Sequence, residues 1–208
     1  MTYSLDEMTG IQALERTMPD LTLKPGRSTR VEFEYIRHGT QTLIASFNVA
    51  TGQIDQASVG ETRTEQDLDT HLRHLLSQTP KAHKIHLVMD CLNTHQSEAL
   101  VRLAAALEPA PIELGKKGKT GILQSMATRA AFLSNPEHRL VVHFTPKHCS
   151  WLNQIEIWFS ILVRKLLRRS SFKSQAHLKK KILAFVDYFN RTMAKPFKWN
   201  YTGKPLTS

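Results

Sequence analysis

The order of apolar and polar positions along the 208-residue chain predicts strands first, and helices alternating with strands later. The opening TYSLDE is typical of the end of a strand, with Leu5 on one face and Asp6 on the other. Residues 8–30 have the composition of a loop. The segments RVEFEYI, TQTLIASFNVATG and QIDQASVG follow, and they predict an antiparallel meander.

Helical spacing of leucines predicts a helix over residues 64–77, and KIHLVMD then supplies a buried strand. A second helix is expected over 95–107 and a further strand over 140–145. Two amphipathic helices close the chain, the first capped by Ser150 and the second by Ser174. Their predicted buried faces are Leu152, Ile155, Phe159, Leu162 and Leu166 in the first, and Leu178, Ile182, Phe185, Val186 and Phe189 in the second.

Length and composition indicate one globular domain that spans residues 1–208. No apolar run approaches the roughly 20 residues that cross a bilayer, and the start MTYSLDEMTG lacks the features of a signal peptide. We therefore expect a cytoplasmic protein without a membrane partner. Cys91 and Cys149 are too few for a disulfide framework and lack the spacing of a zinc site, so reduced thiols are expected.

The formal net charge of +10 is concentrated near the end of the chain. Residues 161–208 contain 12 Lys and Arg against a single acid, Asp187, and are predicted to form a basic helical C-terminal arm. Such an arm beside a nearly neutral body suits an enzyme that binds a polyanion, although a solvated surface has the same composition. Aromatic residues alternate with the basic ones and favour nucleic-acid binding, but they could also belong to the core.

Three acids stand in segments that suit a shared site. Asp6 and Asp90 each follow a short apolar run, while Glu156 lies near the start of a helix, on the same polar line as Asn153. Carboxylates from separate segments can hold divalent ions that promote phosphodiester chemistry. Spacing alone leaves other roles open, because Asp90 could cap a helix, Glu156 could be a surface residue and Asp6 could begin a turn.

The residues around the acids narrow this choice. The stretches LDEMTGIQALERTMP, YIRHGTQTLIASFNVATG, VMDCLNTHQS and FTPKHCSWLNQIEIWFSILVRKLLRRSSFKS resemble the DDE endonuclease domain of insertion-sequence transposases in the mariner-like superfamily. The resemblance covers nearly the whole chain. It implies an α/β fold of the RNase H-like type, with a mixed sheet flanked by helices and a helical insertion before the last catalytic helix.

The same resemblance implies a catalytic triad of Asp6, Asp90 and Glu156 that binds two Mg²⁺ or Mn²⁺ ions. Whether Asp6 or the neighbouring Glu7 faces the site is left open, since adjacent strand residues point to opposite faces. Four further positions match the family's signature and are expected to support the acids or to contact DNA, or else to cap helices and fix loops: Asn93, His95, Lys147 and His148. Further candidates for supporting the acids or contacting DNA are Asn153, Arg164, Lys165, Arg168 and Arg169.

Two departures from the family pattern are visible. Asp90 and Glu156 are 156 − 90 = 66 residues apart, more than is usual in the family, so residues 108–139 are interpreted as an insertion. Its GKKGKTG stretch does not match a phosphate-binding P-loop and is read as a basic loop that either touches DNA or is merely solvated. The helix-turn-helix region that normally precedes the domain is absent, which suggests a separate N-terminal DNA-binding subunit or a truncated remnant.

The leading hypothesis is a transposase catalytic domain, a metal-dependent DNA endonuclease and strand transferase that acts on insertion-sequence ends. Its expected partners are double-stranded DNA, both element ends and target, and a second copy of the chain in the DNA complex. It would be associated with the nucleoid. The alternatives are a non-catalytic DNA-binding remnant or accessory subunit of a transposase, and an RNase H-like nuclease with other substrates.

Overall fold

The computed structural model of the chain describes residues 1–18, 32–146, 149–168 and 170–198. Within these ranges the strands form a five-stranded sheet in the order β3-β2-β1-β4-β5. The strands are β1 (Thr2–Arg16), β2 (Tyr35–Asn48), β3 (Ile54–Gly60), β4 (Ile85–Met89) and β5 (Leu140–Phe144). The first three pair antiparallel, and β4 joins β1 and β5 in parallel. The predicted mixed sheet is confirmed.

Helices cover both faces of this sheet. The helices are α1 (Glu65–Ser77), α2 (Glu98–Ala106), α3 (Met126–Leu133), α4 (Ile155–Leu162) and α5 (Gln175–Thr192). Leucines of α1, α2 and α3 pack with Leu5 and Leu87 in one hydrophobic cluster, whereas α4 and α5 pack with Ala45 and Phe47 in a second cluster. The sheet therefore separates two cores, as expected for layers of helices on both sides.

The first strand is longer than its sequence indicates. Residues 8–16, predicted as loop, continue β1 and pair with β2 as far as Arg16, while residues 19–31 lie outside the described part. A register shift between Met8 and Ile11 includes Gly10 at φ 67°, a conformation that glycine adopts readily. This irregularity interrupts the alternation of polar and apolar residues and hides the strand in the sequence. Asp6 consequently lies within β1 rather than at its end.

The second strand also differs from the prediction of two separate segments. RVEFEYI contributes only its last two residues to β2, which then runs without a break to Asn48. Gly39, at φ 100°, lies inside the strand and does not end it. The meander is confirmed, but its members are β1, β2 and β3.

The helix starts show where local sequence was informative. Thr64 caps α1 in a capping box with Asp67, and Ser174 caps α5 as predicted. The helix expected over 95–107 is instead a 3₁₀ turn, Asn93–Gln96, followed by α2 with Ser97 as its cap. Ser150 does not cap α4, because another 3₁₀ turn separates them and Gln154 precedes the helix.

The closing helices bury most of their predicted faces. All five apolar positions predicted for α5 are buried, whereas Leu152 and Leu166 at the ends of the other stripe are only partly so. Phe197 stacks on Phe47 with ring centroids 4.8 Å apart. Most of the described aromatic residues that follow position 160 therefore serve the core, and Tyr188, half exposed, is the exception. No helix among the described residues is long and apolar enough to cross a membrane.

Candidate active site

Asp6 and Asp90 meet where β1 and β4 run in parallel. Ser4 pairs with Val88, so continuing the same register by two residues brings the two aspartates level. Asp90 directly follows β4, at the carboxyl end where ligands commonly bind in open sheets. One ligand atom each of Asp6, Asp90 and His95 lies within 4.8 Å of the other two. The structure thus brings together the first two predicted acids and one of the predicted supporting residues.

Asp6 is a buried carboxyl, with only 7% of its surface exposed. Its Oδ1 accepts a hydrogen bond of 2.8 Å from the backbone N–H of Glu7. Burial raises the pKa of Asp6 to about 6, and the charge of Asp90 also raises it, while the Glu7 N–H and His95 oppose the shift. A cation bound beside Asp6 would relieve this unfavourable burial.

Asp90 is held from two directions. Its Oδ1 accepts a 3.0 Å hydrogen bond from the backbone N–H of Leu92 and lies 2.7 Å from His95 Nδ1. The hydrogen bond with His95 holds the pKa of Asp90 below its usual range, and the exposed Arg63 guanidinium adds to this effect. Asp90 is therefore the acid of the predicted triad that loses its proton most readily, and its charge acts on both other acids.

His95 is fully buried between two acids. Nδ1 faces Asp90, and Nε2 lies 3.1 Å from Oε1 of Glu7, whose side chain is only 2% exposed. Burial by itself lowers the pKa of His95, but hydrogen bonds to Asp90 and Glu7 and their charges outweigh it and raise the pKa to about 10. The ring is thus a cation that bridges two carboxylates.

Glu156 enters from the other helical layer, in the first turn of α4. Burial raises its pKa, and the charge of Asp90 contributes to the same shift. The side chains of Asp90 and Glu156 therefore interact electrostatically across the site. Glu156 nevertheless lies outside the group of Asp6, Asp90 and His95, whose ligand atoms are within 4.8 Å of one another.

Asn153, predicted to support the site, fastens the start of α4 to β1. Its side chain is fully buried and accepts a hydrogen bond from Ser4 Oγ, while its Nδ2 donates to the carbonyl of Leu5 at 2.8 Å. Ser4 Oγ also accepts from the backbone N–H of Ile155 at 2.8 Å. The helix that carries Glu156 is thereby tied to the two residues that precede Asp6.

An open cleft of about 510 Å³ lies between β1 and α4 and is lined by Glu156, one of the three predicted acids. Glu7, Thr9, Glu156, Ser160 and Arg164 are among the residues that line it. Arg164 belongs to a π-helical turn, Val163–Leu167, that continues α4. Such turns are frequent at functional sites, and this one places a basic residue at the rim of the cleft.

The other predicted residues are distributed around this centre. Lys165 and Arg168 are exposed, in and just after the π-helical turn. Asn93 is exposed and lines a separate cleft of about 480 Å³ with Thr64 and Arg129. Lys147, His148 and Arg169, which the sequence also indicated, lie outside the described residues.

Sequence reasoning missed three contributors. Ser4 lies two residues before Asp6, so strand alternation puts both on one face, which is the signal that could have identified it. Arg63 carries no local signal, since it acts on Asp90 only after β3 and α1 bring the chain to the site. Glu7 was considered only as a competitor of Asp6, and the structure shows that it contacts His95 instead.

Comparisons with known proteins show the family and the fold. The family model of DDE superfamily endonucleases matches residues 1–179. The structure of the Mos1 mariner paired-end complex with Mn is similar with a TM-score of 0.56 at 14% identity, over 95% of this chain and 50% of that one. The Mos1 transposase paired-end complex with the left transposon end gives a TM-score of 0.55 at 13% identity, with the same coverage of both chains. The chain thus spans half the length of these proteins, and no curated protein matches it.

Proposed function

Because the chain belongs to the DDE superfamily of endonucleases, we propose that it is the catalytic domain of a transposase. In this proposal it cuts DNA at the ends of an insertion sequence and joins the freed end to target DNA, in a reaction that depends on divalent metal ions. The observation that carries the proposal is the cluster of Asp6 and Asp90, whose charge acts on Glu156 at the wall of an open cleft.

The acids have the chemistry that Mg²⁺ and Mn²⁺ prefer, since these ions take oxygen ligands and keep several waters. Asp6 and Glu156 both have raised pKa values, so cations at this place would offset their burial and the charge of Asp90. Asp6, Asp90 and Glu156 would hold two ions. When bound, such ions activate the attacking oxygen and stabilise the leaving oxygen. His95, already engaged with Asp90 and Glu7, supports a ligand and is not itself one.

Double-stranded DNA is the proposed substrate, both as element ends and as target. Arg164, Lys165 and Arg168 are exposed beside or near the cleft and would contact its phosphates, which fix position without reading bases. The two similar Mos1 structures are paired-end complexes, which supports the proposal that two copies of this chain act together on DNA. A separate N-terminal DNA-binding subunit and association with the cytoplasmic nucleoid belong to the same proposal.

A nicking assay tests the catalytic role. The chain is incubated with duplex DNA that contains the element's terminal sequences, and with Mn²⁺. The proposal expects nicking that EDTA stops and that Asp90→Asn reduces by roughly 100-fold or more, beyond the loss typical of a residue that only supports a metal ligand. Asp187→Asn, which changes an exposed acid on α5, is the matched control and should nick normally. Binding of this DNA without nicking would instead identify a non-catalytic remnant.

DNA binding itself is tested by its dependence on salt. Each phosphate contact adds about 0.9 to the slope of the logarithm of affinity against the logarithm of salt concentration. Arg168→Gln should lower both the affinity and this slope, equally for all sequences. An unchanged slope would exclude Arg168 from the DNA interface.

A further inference from the structure

Glu7 is an acid in a position that the sheet reserves for apolar side chains. It follows Tyr3 and Leu5 on their face of β1, and both of these are buried in the core. Only 2% of its side chain is exposed, and its Oε2 has no hydrogen-bond partner within the described part of the chain. A buried carboxylate is unfavourable unless it is paired, so this residue calls for a specific role.

The partner of Glu7 is the ring of His95, 3.1 Å away at Nε2. The opposite ring nitrogen, Nδ1, lies 2.7 Å from Asp90 Oδ1 and 3.1 Å from the Asp90 carbonyl oxygen. Both ends of the imidazole are thus engaged, and the ring cannot turn without losing one contact. Glu7 therefore sets the direction in which His95 faces Asp90.

The contacts of Asp90 show what this direction achieves. Its Oδ1 is occupied by His95 and by the backbone N–H of Leu92. These contacts hold the carboxylate through Oδ1 and leave its other oxygen for a ligand. Glu7 is not in the group of Asp6, Asp90 and His95 that could share an ion, and the His95 ring lies between Glu7 and Asp90.

We propose that Glu7 and His95 form a positioning pair that holds the Asp90 carboxylate in the orientation needed to bind a metal ion. The inference rests on the proposed function, because it assigns Asp90 to a divalent cation. Glu7 acts through His95 and touches neither the ion nor DNA. Carboxylates that orient a histidine or another group behind a metal ligand typically contribute roughly 10- to 100-fold in metal affinity.

The test compares Mn²⁺ affinity, measured by calorimetry on the chain without DNA, for the parent and Glu7→Gln. The amide keeps the shape of the side chain but weakens its hold on the ring. We expect the dissociation constant for Mn²⁺ to rise roughly 10-fold or more. The Mn²⁺ concentration for half-maximal nicking should rise in parallel, while the rate at saturating Mn²⁺ stays within a few-fold of the parent. Asp90→Asn, by contrast, should not recover at high Mn²⁺.

A matched control exists on the same strand. Glu15 pairs with His38 through Oε2 and Nε2 at 2.8 Å, in a partly exposed place away from the acids. Glu15→Gln makes the same substitution in a more exposed carboxylate–histidine pair, and it should leave Mn²⁺ affinity unchanged. An equal loss of affinity in both variants would attribute the effect to general charge and overturn the inference.

A double-mutant cycle determines whether Glu7 acts through the ring. In a His95→Gln background, Glu7→Gln should cause no further loss of Mn²⁺ affinity, since the residue it orients is gone. Fully additive losses would mean that Glu7 acts directly and would overturn the inference. If the variants fold poorly, nitrogen-proton NMR of the unaltered chain replaces them. The Nδ1–H signal of His95 should persist on addition of Mg²⁺, and its loss would contradict the proposed arrangement.

The outcomes separate this inference from the proposed function. A parent chain that neither binds Mn²⁺ nor nicks DNA overturns both. A parent that does both, with Glu7→Gln indistinguishable from it, overturns only the positioning role of Glu7.

Discussion

Two histidines, His71 and His95, are completely buried on the same helical layer, yet their surroundings give them opposite charges. His71 on α1 lies between two hydroxyls, with Nε2 and Nδ1 each 2.8 Å from Ser46 and Ser58. Burial lowers its pKa to about 3, so it is neutral at pH 7. His95 lies between two carboxylates, which raise its pKa to about 10 and keep it charged.

The difference shows that depth of burial does not determine the charge of a histidine. Hydroxyls can donate to and accept from a neutral ring, and two serines on β2 and β3 satisfy both nitrogens of His71 without any ion. A carboxylate only accepts, so two of them favour a ring with two N–H groups. His71 therefore helps to pack α1 against the sheet, whereas His95 forms ion pairs with the acids of the site.

The largest effect is expected from exchanging each ring for a neutral amide. His95→Gln leaves Glu7 and Asp90 without the cation between them and should lower the free energy of unfolding by about 3–5 kcal/mol. His71→Gln keeps a neutral partner for the serines and should cost only about 1 kcal/mol. Urea denaturation at pH 7 in EDTA measures both. Equal losses would mean that the two pockets are not electrostatically different.

Lowering the pH provides a second test of the difference between His71 and His95. The pKa of His71 in the folded chain lies below its unfolded value of 6.5. The contribution of His71 to the free energy of unfolding is therefore complete above pH 6.5 and is lost as the pH falls towards 3. The loss should reach on the order of 3 kcal/mol relative to His71→Gln. The contribution of His95 has the opposite sign and disappears only as the pH rises through 10. Melting temperatures of the parent and His71→Gln between pH 3 and pH 7 check this, and parallel curves would contradict it.

Removing a charge from the acid cluster should stabilise the metal-free chain. Asp6 has a folded pKa of about 6, above its ordinary value of 3.8, so the stability it contributes below pH 3.8 is lost as the pH rises through 6. Asp6→Asn should raise the free energy of unfolding at pH 7 by about 1–3 kcal/mol while abolishing nicking. Asp187→Asn is the control, and a destabilised Asp6→Asn would show that the carboxylate is needed for folding.

The smallest effect concerns the hydroxyls that keep His71 neutral. Ser46→Ala removes the partner of Nε2 and should lower the free energy of unfolding by about 1 kcal/mol, the usual cost of one lost hydrogen bond. Nicking and Mn²⁺ affinity should be unaffected. A change in either would connect the two histidine pockets, which the comparison treats as independent.

Helices and strands whose apolar residues recur at a regular spacing could be predicted from the sequence. The apolar stripe of α5 determined its buried face because an 18-residue helix must hide one side against the sheet. Asp6 and Asp90 could be singled out because each follows a short apolar run, but the pairing of their strands was not predicted. Their identification as a pair still depended on a resemblance and not on spacing.

What could not be predicted depends on contacts between distant segments. β1 was underestimated because its irregular pairing near Gly10 removes the alternation by which a strand is recognised. Glu7 follows the alternation that would place an apolar residue in the core, and only the position of His95 explains an acid there. Asn153 was expected near the acids, but its bond to Leu5 requires knowledge of how α4 docks.

The hydrogen bonds between Ser4 and the start of α4 join residues about 150 positions apart, the bond to Ile155 spanning 151. During synthesis Asp6 emerges early and Glu156 late, and contacts of such long range form slowly because a long loop must close first. The three acids can gather only when most of the chain has left the ribosome. A nascent or prematurely ended chain therefore lacks part of this group of acids, so the proposed nuclease activity would begin only after the fold is in place.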